Sequence, residues 1–352
     1  MSLAPVLVHG CRTSLPSVSR RAAFLLGFWL FALGVCQAQD EPRWALVIHG
    51  GAGGLVDAGD SEINQRRRAS LEEAARRGSE ILAEGGTALE AVETVIRHLE
   101  DEVAFNAGVG AVMNAAGIHE LDASIMDGDT LRCGAVAGVT RVRHPISAAR
   151  IVMNETRHVL MQGAGAERVA GEAGLEMVDN TFFTAPSMIP LRDRLRAGKE
   201  AEQENDHKGT VGCVALDRAG RIAAGTSTGG LPGKLPGRVG DSPVIGAGTY
   251  ANSATCGVSC TGTGEEYIRH AAAHSVSMLL ESRDMSLEEA VSNVLRERLK
   301  PGDGGMIAID YRGEIRADFT TDSMAWAAAA SDGRFEVHVG ESRGEDGADS
   351  SR

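Results

Sequence analysis

The sequence is short of positive charge. It carries 35 Lys and Arg against 48 Asp and Glu, a formal net charge of −13 at pH 7. That deficit argues against nucleic acid or an anionic membrane surface as a partner. Its 6 cysteines include no C-x-x-C and no zinc-ligand spacing, so no structural zinc site is expected. The glycine run Gly50-Gly51-Ala52-Gly53-Gly54 lacks the Lys-Ser/Thr of a P-loop, and no helix opens within it. Nucleotide binding there is not expected. The 44 glycines follow no collagen-like period, so they mark tight turns and close backbone approaches. What remains is a chain of 352 residues, 43% hydrophobic and 24% charged. Such a chain is globular with an ample core, either as two domains or as one large α/β unit.

The N-terminal stretch stands apart. Arg20-Arg21 precedes an apolar run, Ala22 to Val35, and then Cys36-Gln37-Ala38. A basic segment, a short apolar segment and a small residue at a cleavage point read as a bacterial secretory signal, too short to span as a stable anchor. The long basic segment, Met1 to Ser19, departs from the usual signal. Twin-arginine export and an uncleaved anchor are the alternatives, and Val35 is too large for a good lipoprotein site before Cys36. Cleavage after Ala38 takes three arginines and no acids from the formal charge of −13, leaving −16. The expected location is periplasmic or secreted. Cys133, Cys213, Cys256 and Cys260 stay behind and are expected as buried thiols. Cys256 and Cys260 lie roughly 13 Å apart along an expected strand, too far to bridge.

From Trp44 onward the pattern alternates between helix and strand. Trp44 to His49 reads as an apolar strand. Leu71, Ala74, Ala75, Gly78, Ile81 and Leu82 share one helical face, and Gly85-Gly86 stops that helix. Thr87 and Glu90 form a capping box for a second helix, with Leu89, Val92, Val95, Ile96 and Leu99 as its apolar stripe. His98 beside the stripe has no metal-site partner at helical spacing. His119 to Gly128 reads as a strand and turn, paired with Cys133 to Val139. Glu120 and Asp122 share a face there, which solvent exposure explains as well as acid–base work. Ser147 opens a short helix, Val159 to Met161 is a brief strand, and Phe182 to Leu195 gives no regular pattern. Beyond residue 229, a Gly/Pro-pinned loop runs to Pro243 and presents Arg238 and Asp241 three residues apart, as a binding wall or as a surface ion pair. Thr255 to Cys260 is a strand, and Thr261-Gly262-Thr263-Gly264-Glu265 turns it into a helix running through Ile268, Ala271, Ala272, Val276 and Leu279. Another helix opens at Ser286 with Glu289 as its capping box. Gly304 to Asp310 and Glu314 to Asp318 form a hairpin. The acidic tail 341–352 is expected to be disordered.

One junction organises this pattern. A charged run, Ala197 to Lys208, ends at Gly209-Thr210, and a buried strand begins at once, Thr210 to Asp217, with a return strand at Arg221 to Thr228. Locally this is either an ordinary loop or a chain break that makes Thr210 an N-terminal nucleophile.

Seven motifs in register decide how the junction is read. They are His49-Gly50-Gly51-Ala52-Gly53, Phe105-Asn106-Ala107-Gly108, Glu120-Leu121-Asp122-Ala123, Gly209-Thr210-Val211-Gly212, Thr226-Ser227-Thr228-Gly229-Gly230, Pro236 to Pro243, and Cys260 to Glu265. In this order and spacing the chain resembles the plant-type L-asparaginases, or isoaspartyl peptidases, from about Trp44 to about Val339. The resemblance implies a four-layer αββα sandwich of the N-terminal-nucleophile hydrolase type, two stacked, mainly antiparallel sheets flanked by helices. It implies autocleavage between Gly209 and Thr210, giving an α chain of about 39–209 and a β chain of 210–352 that stay together as one globular domain, and an (αβ)2 assembly. A hydroxyl is a weak nucleophile without an adjacent base. Cleavage frees the Thr210 amine, with a reference pKa of about 7.7–8.0, to serve as that base.

The resemblance also implies roles. Thr228 would orient the Thr210 hydroxyl. The Thr261 side chain and the Gly262 N–H would form the oxyanion hole, each donor worth about 3–4 kcal/mol of barrier. Arg238 would hold the substrate α-carboxylate through paired N–H contacts. Asp241 and the Gly264 carbonyl would hold the α-ammonium. Thr263 lies in the same substrate-binding turn, and Asn106 beside the nucleophile. Backbone carbonyls of Leu99, Glu100, Glu102, Phe105, Ala107 and Val109 would hold a structural sodium, with no cofactor needed for the chemistry. The expected substrates are β-aspartyl dipeptides and L-asparagine, split through a β-aspartyl-Thr intermediate. Glycosylasparaginase shares several of these signals, and a catalytically silent binder of aspartyl compounds is the rival of another class.

Overall fold

Strands that bury both faces lose the in–out alternation of polar and apolar residues. The central β-strands here do so because each sheet is covered on both sides, whereas the edge strands Leu160–Gln162 and Phe335–His338 stay partly exposed. A computed structural model describes residues 43–53, 61–198 and 209–340. All of them belong to one compact unit, residues 42–352. The expected leader, residues 199–208 of the charged run, and the tail 341–352 lie outside the described residues.

The described residues begin with β1 (Ala45–Gly53), α1 (Glu62–Ala83) and α2 (Ala88–Glu100). A hairpin of β2 (Leu121–Asp127) and β3 (Cys133–Val139) leads to α3 (Pro145–Glu155), β4 (Leu160–Gln162), α4 (Gly163–Glu172) and α5 (Ile189–Arg196). After the junction come β5 (Val211–Leu216), β6 (Ile222–Thr228), β7 (Thr249–Ala251) and β8 (Cys256–Gly262). Three helices follow, α6 (Gly264–His270), α7 (Ala272–Arg283) and α8 (Leu287–Asn293). Strands β9 (Gly304–Asp310), β10 (Ile315–Phe319), β11 (Ser323–Ala330) and β12 (Phe335–His338) close the described chain.

Two sheets result. The larger has the order β12-β11-β1-β5-β6-β2-β3-β4, and the smaller β10-β9-β8-β7. Among the paired strands of the described residues, only β3 and β4 run parallel. Three apolar layers separate four structural ones. Leu46, Ile48, Val211, Cys213 and Ala215 face the layer shared with α1 to α4. Their neighbours Ala45, Val47, Val214 and Leu216 point the other way, onto Ile307 and Ile309 of the small sheet. On the far side of that sheet, Val258, Cys260, Met306 and Ala308 pack against α6, α7 and α8. This is the αββα sandwich, with period-2 alternation sorting each strand between two cores.

Several local expectations need correction. β1 does not stop at His49; it continues to Gly53 through a bulge between His49 and Ala52. α3 opens at Pro145, whose fixed φ suits a first turn, rather than at Ser147. The brief strand falls at Leu160–Gln162. Phe182 to Leu195 holds two short 3-10 turns and α5. The helix expected through Ala271 is broken there: Ala271 has φ 44°, a left-handed residue that ends α6 and starts α7. Cys133 is half-buried, while Cys213, Cys256 and Cys260 are buried, and all four are free. Asp122 is fully buried rather than facing solvent, because β2 lies inside the large sheet. No helix among the described residues is long and apolar enough to cross a membrane.

Candidate active site

The β5–β6 hairpin sets the centre of the site. Its register places Val211 opposite Ser227, so Thr210 comes level with Thr228. Their hydroxyl oxygens lie 2.9 Å apart. The Thr228 oxygen also accepts the Gly230 N–H at 3.0 Å, which leaves its own proton free for Thr210.

The β1 bulge carries the glycine run onto the junction. A Cβ on Gly209 would lie 2.1 Å from the Gly51 Cα, and one on Gly51 would lie as close to the Gly209 Cα. Gly51 has φ 107° besides, so both positions require glycine. The Gly209 carbonyl accepts the Asn106 N–H at 3.0 Å. Asn106 is fixed in turn: its side-chain amide donates to the Gly230 carbonyl at 2.7 Å, and its side-chain oxygen accepts from the Val112 N–H at 2.9 Å. Ala52 N–H donates to the Thr261 hydroxyl oxygen at 3.3 Å. With a lone pair so occupied, the Thr261 O–H is free to donate elsewhere.

Gly262 ends β8 at φ 150°, where a Cβ would strike the Asp303 carbonyl at 2.0 Å. Thr263 N–H donates to that same carbonyl at 2.7 Å and precedes the first residue of α6. Gly264 lies against both residues of the expected clamp: a Cβ there would be 2.9 Å from Asp241 Oδ1 and 3.0 Å from Arg238 Nη2. Arg238 and Asp241 do not form the surface ion pair that their spacing allows. Arg238 is instead bidentate to Glu265, Nε to Oε1 at 2.9 Å and Nη2 to Oε2 at 2.8 Å. A guanidinium has two such edges. Glu265 takes one and leaves the Nη1–Nη2 edge for a second carboxylate. That contact holds the Glu265 carboxyl below its usual range. Asp241 is buried, and its Oδ2 has no hydrogen-bond partner among the described residues. Burial pushes its carboxyl up to about 7, against the nearby Arg238 charge. A buried, unpartnered carboxylate beside a free guanidinium edge suits a zwitterionic α-amino acid group.

Gly230 joins the two halves. It bonds Thr228 and Asn106, and a Cβ on it would be 2.9 Å from Lys234 Nζ and 3.3 Å from Arg238 Nη1. Lys234 is buried, donates to the Glu120 carbonyl at 2.9 Å, and lies 3.8 Å from Asp122 Oδ2. Burial lowers the ammonium and raises the carboxyl. Asp122 Oδ1 accepts the Gly138 N–H, and the Glu120 carboxylate accepts the Gly237 N–H. So Glu120 pins the loop that carries Arg238, and Asp122, within the sheet, faces Lys234. Sequence reasoning assigned no role to Glu265, Lys234 or His49; Glu265 and His49 lay inside quoted motifs, whereas Lys234 carried no signal beyond its loop.

The residues expected in the sodium loop begin in the last turn of α2, at Leu99 and Glu100, and run on to Val109. Glu102 N–H donates to the Leu99 carbonyl, Phe105 N–H to that of Glu102, and Val109 N–H to that of Glu100. Gly108 at φ 48° folds over the Glu100 carbonyl, which a Cβ would meet at 2.2 Å. Among the described residues, the carbonyls of Phe105, Ala107 and Val109 accept no hydrogen bond. No cluster of three or more His, Cys, Asp or Glu side chains that could hold a metal occurs among them either.

Two stacked sheets flanked by helices are the αββα sandwich of the N-terminal-nucleophile hydrolases. Comparison with known proteins narrows the class. The family model described as asparaginase matches residues 42–339, and the chain belongs to that family. It is 45% identical over 297 residues to an isoaspartyl peptidase of Salmonella typhimurium, covering 81% of this chain and 95% of that protein. Against an isoaspartyl peptidase of Escherichia coli it is 45% identical over 300 residues, covering 81% and 92%. An isoaspartyl peptidase/L-asparaginase of Xenopus laevis is 39% identical over 309 residues, covering 85% and 96%.

Proposed function

We propose that the chain hydrolyses the side-chain amide of aspartyl units, in β-aspartyl dipeptides and in L-asparagine, after cutting itself between Gly209 and Thr210. The observation that carries this is the Thr210–Thr228 hydroxyl pair, set at 2.9 Å immediately after a glycine whose carbonyl is already hydrogen-bonded.

In the uncut chain the Thr210 oxygen attacks the Gly209 carbonyl carbon. The Asn106 N–H on that carbonyl stabilises the developing oxyanion. The peptide nitrogen takes up the hydroxyl proton and leaves as the Thr210 amine, and water hydrolyses the Gly209 ester, freeing the Gly209 carboxylate and restoring the Thr210 hydroxyl. The freed amine then takes the Thr210 hydroxyl proton, directly or through a water, and the oxygen attacks the substrate amide carbon. Thr228 orients that oxygen. Thr261 O–H and Gly262 N–H hold the oxyanion, the Thr210 ammonium returns the proton to the substrate nitrogen, which leaves as the amino acid or ammonia, and water releases aspartate from the β-aspartyl ester and restores the Thr210 hydroxyl. The free edge of Arg238 binds the α-carboxylate, and Asp241 with the Gly264 carbonyl binds the α-ammonium, so only an aspartyl unit with free α groups presents its side chain to Thr210. Thr263 lines the same turn.

The 99–109 loop fits a hard monovalent cation. The open carbonyls of Phe105, Ala107 and Val109, with those of Leu99, Glu100 and Glu102, would hold it through oxygen donors alone. Sodium bound there would supply a fixed positive charge that ties the loop carrying Asn106. Export by the leader 1–38 and an (αβ)2 assembly complete the reading.

The test compares amino-acid release from β-Asp-Leu by wild type and Thr210→Ala. Activity in wild type and none in the variant is expected. Full activity in Thr210→Ala contradicts the nucleophile, and release from glycosylated asparagine in place of β-Asp-Leu redirects the substrate.

A further inference from the structure

The apolar space between the sheets is crossed by a polar seam. His49 Nδ1 lies 2.9 Å from the Thr210 carbonyl, and its Nε2 lies 2.9 Å from Ser259 Oγ. Ser259 is 2.7 Å from Thr226 Oγ1, and Thr249 Oγ1 donates to Thr226 at 2.6 Å. Ser124 Oγ stands 2.8 Å from Thr249 and 2.6 Å from the carbonyl of Ser242, the neighbour of Asp241. The seam alternates between sheets: His49, Thr226 and Ser124 from the larger, Ser259 and Thr249 from the smaller. Each of these five side chains is fully excluded from solvent.

Gly212 lets the seam pass. It pairs with His49 across β1 and β5, and a Cβ on it would lie 2.0 Å from Ser259 Oγ and 2.3 Å from His49 Nε2. The His49–Ser259 bond therefore occupies the space that any other residue at 212 would fill.

Proton counting fixes the direction of the seam. The Thr210 carbonyl only accepts, so His49 Nδ1 carries the proton. Burial holds the imidazole pKa down at about 3, so the ring is neutral and Nε2 is bare. Ser259 must then donate to Nε2, Thr226 to Ser259, and Thr249 to Thr226. Ser124 spends its one proton on either Thr249 or the Ser242 carbonyl, and the longer contacts of Thr226 to the Gly248 carbonyl at 3.2 Å and of Thr249 to the Ser242 carbonyl at 3.4 Å are left without one.

We infer that His49, locked as its Nδ1–H tautomer by this hydroxyl seam, is a positioning residue that fixes the Thr210 carbonyl and so aims the Thr210 oxygen and amine, in self-cleavage and in turnover alike. The inference rests on the reading of Thr210 as nucleophile. It assigns the seam no contact with substrate, so substrate affinity stays with Arg238 and Asp241.

Two variants separate positioning from core filling. His49→Asn places an amide N–H near the Nδ1 site and keeps the bond to Thr210. His49→Gln reaches toward Nε2 and loses it. Both disturb packing and lower thermal stability. Self-cleavage and kcat are expected to fall about tenfold further in His49→Gln than in His49→Asn, with KM unchanged in both. Equal losses in the two variants, including equal failure to cleave, overturn the inference, as does a KM that moves with kcat. Imidazole 15N NMR of the wild-type protein, with the His49 signal assigned by its absence in His49→Gln, gives an independent check. A neutral Nδ1–H ring unchanged between about pH 5 and pH 8 is expected; an Nε2–H tautomer or a titrating ring overturns the inference. A wild-type chain that never breaks at Gly209 sinks the Thr210 reading instead, and leaves the NMR result to judge the His49 bond.

Discussion

Asp241→Asn should separate the cost of the substrate clamp from its benefit. Burial raises the Asp241 carboxyl from 3.8 to about 7, with Oδ2 unpartnered. That is roughly three pKa units at about 1.36 kcal/mol each, so ionising Asp241 in the free enzyme costs about 4 kcal/mol of stability. The folded pKa lies above the unfolded value. The stabilising difference is therefore full below about pH 4 and is lost as pH rises through about 7. Asparagine has the same shape and no titration. The stability of Asp241→Asn relative to wild type should accordingly grow by about 2–3 kcal/mol between pH 5 and pH 8, all other titrations being common to both. Urea unfolding at the two pH values measures this. The same carboxylate must be ionised to hold an ammonium, so wild-type kcat/KM should rise with pH through about 7. The variant should lose most of its affinity for β-Asp-Leu and keep only the part of the rise that belongs to the Thr210 amine. A stability gap that does not change with pH, or a wild-type kcat/KM flat across pH 6 to 8, would refute the assignment of Asp241.

Other perturbations read other parts of the site. Thr228→Val removes the oxygen 2.9 Å from Thr210 and should lower kcat about 100-fold with KM nearly unchanged; a rise in KM instead would move Thr228 into substrate binding. Gly209→Ala forces a Cβ to 2.1 Å from the Gly51 backbone, and overpacking of about 1–3 kcal/mol should slow self-cleavage about 10- to 100-fold on a denaturing gel. Cleavage at the wild-type rate would show that this contact does not hold the junction. Replacing sodium by a large organic cation such as choline should lower the melting temperature, and an unchanged value at matched ionic strength counts against the 99–109 loop as a cation site.

The sequence displayed its strands and helices unevenly. Capping boxes at Thr87 and Ser286 are local, and both form as their side chains dictate. The β5–β6 hairpin is local too. The position of β1 between β11 and β5 is not, because it joins residues some 280 positions apart in the chain, Ala45 and Ala330 among them. The break at Ala271 left no trace, since alanine favours continuing a helix and only tertiary packing drives it left-handed. For Asp122 the pattern leaves solvent exposure open, because alternation signals a solvent face only when one face of the sheet is open, and β2 lies inside the larger sheet. In the site, the motifs placed Thr210, Thr228, Arg238, Asp241, Thr261 and Gly264 in the list of candidates, and the fold brings them together. Their partners were hidden. Glu265 occupies one edge of Arg238, and His49 reaches Thr210 across 161 positions, links that exist only once the sheets are stacked.

The central claim is that Thr210 becomes the first residue of a chain. Intact mass and N-terminal sequencing of the purified protein, beside Thr210→Ala, test it directly. Wild type should separate under denaturing conditions into two chains, the smaller beginning at Thr210, while the variant stays whole. A wild-type protein that remains a single chain yet hydrolyses β-Asp-Leu at full rate would contradict the account.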